Sequence, residues 1–270
     1  LRKRHLSRGF TLVEIVLAIA IGLVLLGAVW TAVWSGQRSS VSIEQKVTTG
    51  QDARLALEIM AAEIRMASFN PLAADRMWVN PSDCSAAANQ QWRGLQEATA
   101  LSITIEMDLD PDGICGNSGN EIIRYAYDPP SGRITRETIR CDAGSRTSSG
   151  GQPFLGPILS HPAVKTLRVI NGGVPLYRYY DGTGAEIVNL PADIHKIRRI
   201  GITLLVESAD ADPGTGQPRR MAYSTSVVPR NHGICPGRGH TGQPDPACHW
   251  DHRHQYFDAG SAVEHESRRR

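Results

Sequence analysis

Gly9-Phe10-Thr11-Leu12-Val13-Glu14, continuing into an almost unbroken apolar segment that ends at Trp34, decides how the chain is read. Arg2, Lys3, Arg4 and Arg8 precede it with no acidic residue among them, and after Glu14 no charge appears until Arg38. Residues 10–34 coiled as a helix rise ~37 Å, enough to cross a hydrocarbon layer of ~30 Å. The excess of positive charge before the segment places its N-terminal end in the cytoplasm and everything after Trp34 on the far side. Glu14 does not suit a plain anchor, because a lone carboxylate at that depth costs on the order of 2.5–3.5 kcal/mol. A secretory signal fits poorly too: cleavage near Ala32 or Gly36 would set a small residue beside Trp30 or Trp34 where two small ones are required. A cut between Gly9 and Phe10 instead makes Glu14 the fifth residue of a new chain and frees an amine on Phe10.

Arg8-Gly9-Phe10-Thr11-Leu12-Val13-Glu14 resembles the class III signal of type IV prepilins and secretion-system pseudopilins. The resemblance implies that a membrane prepilin peptidase cuts after Gly9 and methylates Phe10, and that Glu14 pairs with the N-terminal amine of a neighbouring subunit during assembly. That role supplies a physical reason for Glu14, since a buried charge is tolerable when its partner is buried beside it.

From Ser35 to Phe69 the sequence turns polar but keeps a helical period. Ala53, Leu57, Met60, Ile64 and Ala67 fall on one stripe, predicting core packing, with Arg54 and Glu58 opposite. Ser35-Gly36, Ser39-Ser40 and Thr48-Thr49-Gly50 weaken the helix and predict a bend or local melting between its halves; Asn70-Pro71 is expected to end it. The phrase Glu63-Ile64-Arg65-Met66-Ala67 is similar to PilW-type minor pilins and, more loosely, to J-type minor pseudopilins of type II secretion.

Residues 70–99 have no clear period and read as a loop with a short helix. Seven strands follow: 101–107, 122–127, 134–139, 164–170, 176–180, 200–206 and 221–228, with Asp128-Pro129-Pro130-Ser131-Gly132 as a hairpin turn. No helix of crossover length separates them, so the sheet is expected to be largely antiparallel. The fold class is therefore α+β, a long N-terminal helix on an antiparallel head. The organisation expected is a leader at 1–9, a membrane or filament-core helix at 10–34, an amphipathic half at 35–70, a β-rich head at 71–231 and a Cys/His-rich disordered tail at 232–270.

Asp108-Leu109-Asp110-Pro111-Asp112-Gly113 places carboxylates at positions 1, 3 and 5 and glycine at 6 of a calcium-loop pattern. Position 12 is Gly119, so the bidentate glutamate is missing; Glu121, two residues late, is its substitute, and Pro111 is a further departure. Calcium bound by Asp108, Asp110, Asp112 and Glu121 and a solvated acidic turn are both open readings. Cys235, His240, Cys248 and His252 include zinc-ligand types at a spacing that matches no compact finger. Five cysteines (Cys84, Cys115, Cys141, Cys235, Cys248) follow the apolar segment, and an odd count leaves at least one unpaired in a monomer.

The formal charge is +2, and loss of the first nine residues leaves 25 basic against 27 acidic groups, so no basic excess points to nucleic acid. The first residue is Leu, so an incomplete start or a non-standard initiation is expected. No nucleophile–base motif is present, and an enzyme is not expected; Tyr177, Tyr179 and Tyr180 read as packing and surface residues. The resemblance implies a non-enzymatic minor pilin that helps initiate, and can cap, a type IV pilus. Its partners would be prepilin peptidase, other minor and major pilins, the inner membrane and the assembly machinery in it. The head would be periplasmic and then displayed on the pilus at the cell surface. A minor pseudopilin of type II secretion and a membrane-anchored extracellular calcium-binding domain are the alternatives.

Overall fold

A computed structural model describes residues 10–88, 90, 93–158, 160–161 and 166–232. One helix, α1 (Leu12–Met66), runs 55 residues without interruption, about 82 Å at 1.5 Å per residue. The local melting expected near Gly36 or Gly50 is absent: α1 stays helical through both. No proline removes a backbone donor anywhere in α1, and the weak stretch at Thr48-Thr49-Gly50 is held by packing. Thr49 and Gly50 are buried, and a Cβ on Gly50 would lie 2.8 Å from the Tyr223 hydroxyl. The glycine there serves close approach rather than flexibility.

The helix also stops earlier than Asn70. Ser68 has φ 66°, and its N–H donates to Glu106 O at 2.9 Å, so a tertiary bond takes the chain out of the helix three residues before Pro71. Upstream of this exit the predicted stripe is buried: Ala53, Met60, Ile64 and Ala67 are fully covered and Leu57 nearly so, joined by Ala56 and Ala61. Arg54 and Glu58 are exposed, as their phase requires. Each large apolar side chain buried along this face contributes roughly 1.5–3 kcal/mol.

The head holds two antiparallel sheets where a single one was expected. The first has β1 (Leu95–Ala98), β2 (Ser102–Glu106), β3 (Ile122–Asp128), β4 (Arg133–Asp142) and β5 (Ser145–Ser148) in that order, with β6 (Gln152–Leu155) also pairing β4. The second centres on β9 (Arg199–Ala211), flanked by β10 (Pro218–Val227) on one edge and by β7 (Arg168–Val169) and β8 (Tyr177–Tyr180) on the other. All seven predicted strands have a counterpart, β7 being the one within 164–170. β1, β5 and β6 are additions: each has only four residues, too few to show a period. Between residues 70 and 99, Val79 and Ala86 form an isolated bridge, and Gln90 lies in a 3-10 turn where a short helix was expected.

β9 reads as a half-buried strand should. Ile200, Ile202, Leu204 and Val206 point into the core while the alternate residues are half-exposed. They meet Met60 and Ile64 of α1 and Leu95, Ile103, Ile105 and Tyr125 of the first sheet in one hydrophobic core. The sheets are joined at their edges. Tyr179 Oη donates to Thr99 O at 2.9 Å, and Val169 N–H donates to Gly132 O at 2.8 Å. A smaller core of Met77, Trp78, Ala87, Cys115, Ile122, Ile139 and Cys141 lies apart from the main one. There Cys84 and Cys141 form a disulfide that ties the 70–93 loop to β4.

His232, expected in the tail, is buried against the head. The Cys/His tail, with Cys235, His240, Cys248 and His252, lies outside the described residues.

Candidate functional site

The first region of interest is the start of α1. Thr11 is the N-cap in extended conformation (φ −80°, ψ 151°). Its Oγ accepts from Glu14 N–H at 3.3 Å, and its own N–H and hydroxyl donate to Glu14 Oε2, each at 3.0 Å. This is a capping box, in which two orphan donors of the first turn are satisfied reciprocally. Glu14 thus has a local partner that its apolar setting did not suggest, and the S/T-x-x-E spacing was legible in the sequence. Phe10, immediately before the cap, is 83% exposed. Gly9 lies outside the described residues.

From Leu12 onward the helix stands clear of the head, and its apolar window is wholly unburied. The first tie is at Ser42, whose Oγ donates to Asp212 Oδ2 at 3.0 Å, with Arg219 Nη2 on the same carboxylate oxygen at 2.5 Å. The 30 residues before Ser42 thus project as a rod of about 45 Å. Trp30 and Trp34 stack edge to face at 6.1 Å, and the Arg38 guanidinium lies 5.2 Å from the Trp34 ring. An aromatic–cation ladder where apolar gives way to polar suits a membrane–water boundary. Its i, i+4, i+8 spacing was readable in the sequence.

The second region is the loop between β2 and β3. One oxygen each of Asp108, Asp110 and Glu121 lies within 4.8 Å of the others. Asp108 and Glu121 are fully buried; Asp110 is exposed. Gly113 N–H donates to Asp108 Oδ2 at 3.0 Å, while Oδ1 has no hydrogen-bond partner among the described residues. Glu121 accepts three backbone N–H bonds, from Leu109 at 3.0 Å on Oε1 and from Gly116 (2.9 Å) and Ser118 (3.1 Å) on Oε2. Burial nevertheless raises the Glu121 carboxyl above its ordinary pKa, helped by the nearby Asp110 charge. Gly113 has φ 80°, the left-handed turn expected of that position.

Asp112 does not join the group. Its Oδ1 accepts from Ile114 N–H at 2.8 Å and its Oδ2 from Asn117, so the side chain is used in its own Asx turn. Of the four carboxylates predicted, the structure brings together Asp108, Asp110 and Glu121 and leaves Asp112 out. Glu106, at the end of β2, is a buried acid that the sequence reading passed over. Burial pushes its carboxyl well above the ordinary range, against the Val79 N–H and Gln96 amide that bond its Oε2. Cys115 is free and buried; burial and the Glu106 and Glu121 charges hold its thiol well above the usual pKa, which disfavours the thiolate. Tyr177 and Tyr179 are core residues, and Tyr180 carries Arg199 on its face at 3.8 Å.

Residues 4–30 match the prokaryotic N-terminal methylation motif. The motif indicates a type IV pilin-like or pseudopilin chain, and it implies processing by prepilin peptidase and handling by pilin assembly machinery in general. The apolar, unburied first half of α1 fits a membrane-anchored pilin. Neither a curated protein nor a solved structure matched the chain. Within a pilin-like chain the two halves of α1 divide the work by composition: the N-terminal half is suited to lipid or to neighbouring helices, and the second half is the spine of the head.

Proposed function

We propose that the chain is a non-enzymatic minor pilin of PilW type, which helps initiate a type IV pilus and sits at its tip. One observation carries the reading. The methylation motif leads directly into a helix that is apolar as far as Trp34 and stands free of the head over its first 30 residues, while its remainder is built into a β head. On this reading the N-terminus is cytoplasmic, cleavage after Gly9 exposes the Phe10 amine, and the helix waits in the inner membrane before packing among other pilins.

Glu14 then has two states. In the isolated subunit the capping box holds its carboxylate at the helix N-terminus, where the helix dipole favours negative charge. Both Thr11 donors fall on Oε2, which leaves Oε1 for the Phe10 ammonium of a neighbour. Pairing two charges out of water is favourable only with such additional hydrogen bonds. The test is Glu14→Ala, expressed with the pilus and secretion machineries present in turn. Membrane insertion should be unchanged and incorporation into the filament reduced. Incorporation at the wild-type level would remove the assigned role, and incorporation into the secretion assembly alone would favour the pseudopilin alternative.

A further inference from the structure

Two fully buried carboxylates and an exposed third converge in the β2–β3 loop, and among the described residues no ion pair neutralises Asp108, Asp110 or Glu121. Buried charges of one sign are costly unless paired or bound to a metal. Backbone N–H groups reach both oxygens of Glu121 but only one oxygen of Asp108. Leu109 takes one position on Glu121 Oε1, and Gly113 takes Asp108 Oδ2. The oxygen without a partner, Asp108 Oδ1, belongs to a fully buried side chain of this same group. A set of acids alone would not point to a ligand, but a buried, unpartnered oxygen among them does.

We propose that Asp108, Asp110 and Glu121 bind a calcium ion. The proposal is independent of the pilin reading. All three donors are hard oxygens, the chemistry of calcium and magnesium rather than of zinc or copper. Coordination habit decides between the first two: calcium accepts irregular sets of many oxygens, carboxylates and waters together, whereas magnesium demands near-ideal octahedral geometry and is usually held by one or two carboxylates. Three carboxylates converging on one loop suit calcium. Asp110 is exposed, which gives the ion a route in and room for water ligands. Asp112, the third acid of the sequence pattern, is excluded by its own turn. With three carboxylates and no bidentate twelfth ligand, dissociation constants of roughly 10⁻⁴–10⁻³ M are expected, the range of extracellular modules.

Equilibrium dialysis of the full chain in detergent micelles against radioactive calcium tests this. Wild type should bind one ion per chain, displaced poorly by magnesium. Asp110→Asn should weaken binding at least about tenfold, since it removes one of three ligand charges. Asp108→Asn should abolish binding; its amide nitrogen, placed at Oδ1, would donate to the neighbouring carboxylates and so preserve the loop. Asp112→Asn should stay within about twofold of wild type. No stoichiometric binding at millimolar calcium, or an equal loss in Asp112→Asn and Asp110→Asn, would overturn the assignment. Asp110 and Asp112 are both exposed, so that comparison stands even if Asp108→Asn fails to fold.

Discussion

His232 closes the head, and its titration should be measurable as a loss of stability in acid. The imidazole is 3% exposed and meets three separate segments: Ser68 Oγ and Arg93 O at 3.1 Å on Nδ1, and Ile194 O at 3.0 Å on Nε2. The neutral ring carries one hydrogen and donates to only one of the two carbonyls, while the Ser68 hydroxyl donates to Arg93 O. Burial lowers its pKa from 6.5 to about 4, against the two carbonyls and with help from the Arg198 and Arg93 charges. The unfolded chain therefore takes up the proton first. The contribution is fully present above pH ~6.5 and is lost as pH falls towards ~4, a change of ~3 kcal/mol at about 1.4 kcal/mol per tenfold change in proton affinity. Glu106 and Glu121, raised by burial, act in the opposite sense, so wild type alone does not isolate the effect. His232→Gln does. Denaturation of both proteins, followed by near-ultraviolet circular dichroism in calcium-free detergent buffer, should show the variant less stable at pH 7.5. The gap should narrow by ~3 kcal/mol by pH 4. A gap that stays constant across that range would refute the argument.

Reduction of Cys84–Cys141, or its replacement by alanines, should cost about 4 kcal/mol from the 57-residue separation it closes, read as a lower melting temperature. Melting that is unchanged on reduction would show that the 70–93 loop is held by its small core alone. Glu63→Ala should destabilise the head by about 1–2 kcal/mol in chemical denaturation. It breaks a two-pronged contact to Arg136 (2.8 and 3.2 Å) and a Tyr125 hydroxyl bond of 2.5 Å, discounted because both charged side chains keep about a quarter of their exposure.

The long helix was legible because its two signals are strong and local: an uninterrupted apolar run, then a stripe from Ala53 to Ala67 at helical spacing. The strands of β2, β3, β4 and β9 were legible for the same reason, as alternation over five or more residues. β1, β5 and β6 were not, since four-residue strands exist only through their partners. The helix exit was misplaced because a proline rule was applied where a hydrogen bond from Ser68 to Glu106, 38 positions away in sequence, intervenes. At the acidic loop, spacing picked out Asp108, Asp110 and Glu121, which the fold brings close together, but could not exclude Asp112, whose Asx turn depends on the path of the loop. Glu106 and His232 were missed as buried polar groups. Nothing in their neighbours in sequence announces burial that arises from contacts made by distant segments.

The central claim is that the chain is cut between Gly9 and Phe10 and enters an assembly through the helix that begins there. Intact-mass analysis of the protein purified from membranes of a host carrying prepilin peptidase tests it most directly. The account predicts a single species beginning at Phe10 with one added methyl group on its amine, and the uncut form when Gly9→Ala blocks the site. A mature protein that retains residues 1–9, or one whose N-terminus lies near Gln37 after the apolar segment, would contradict it.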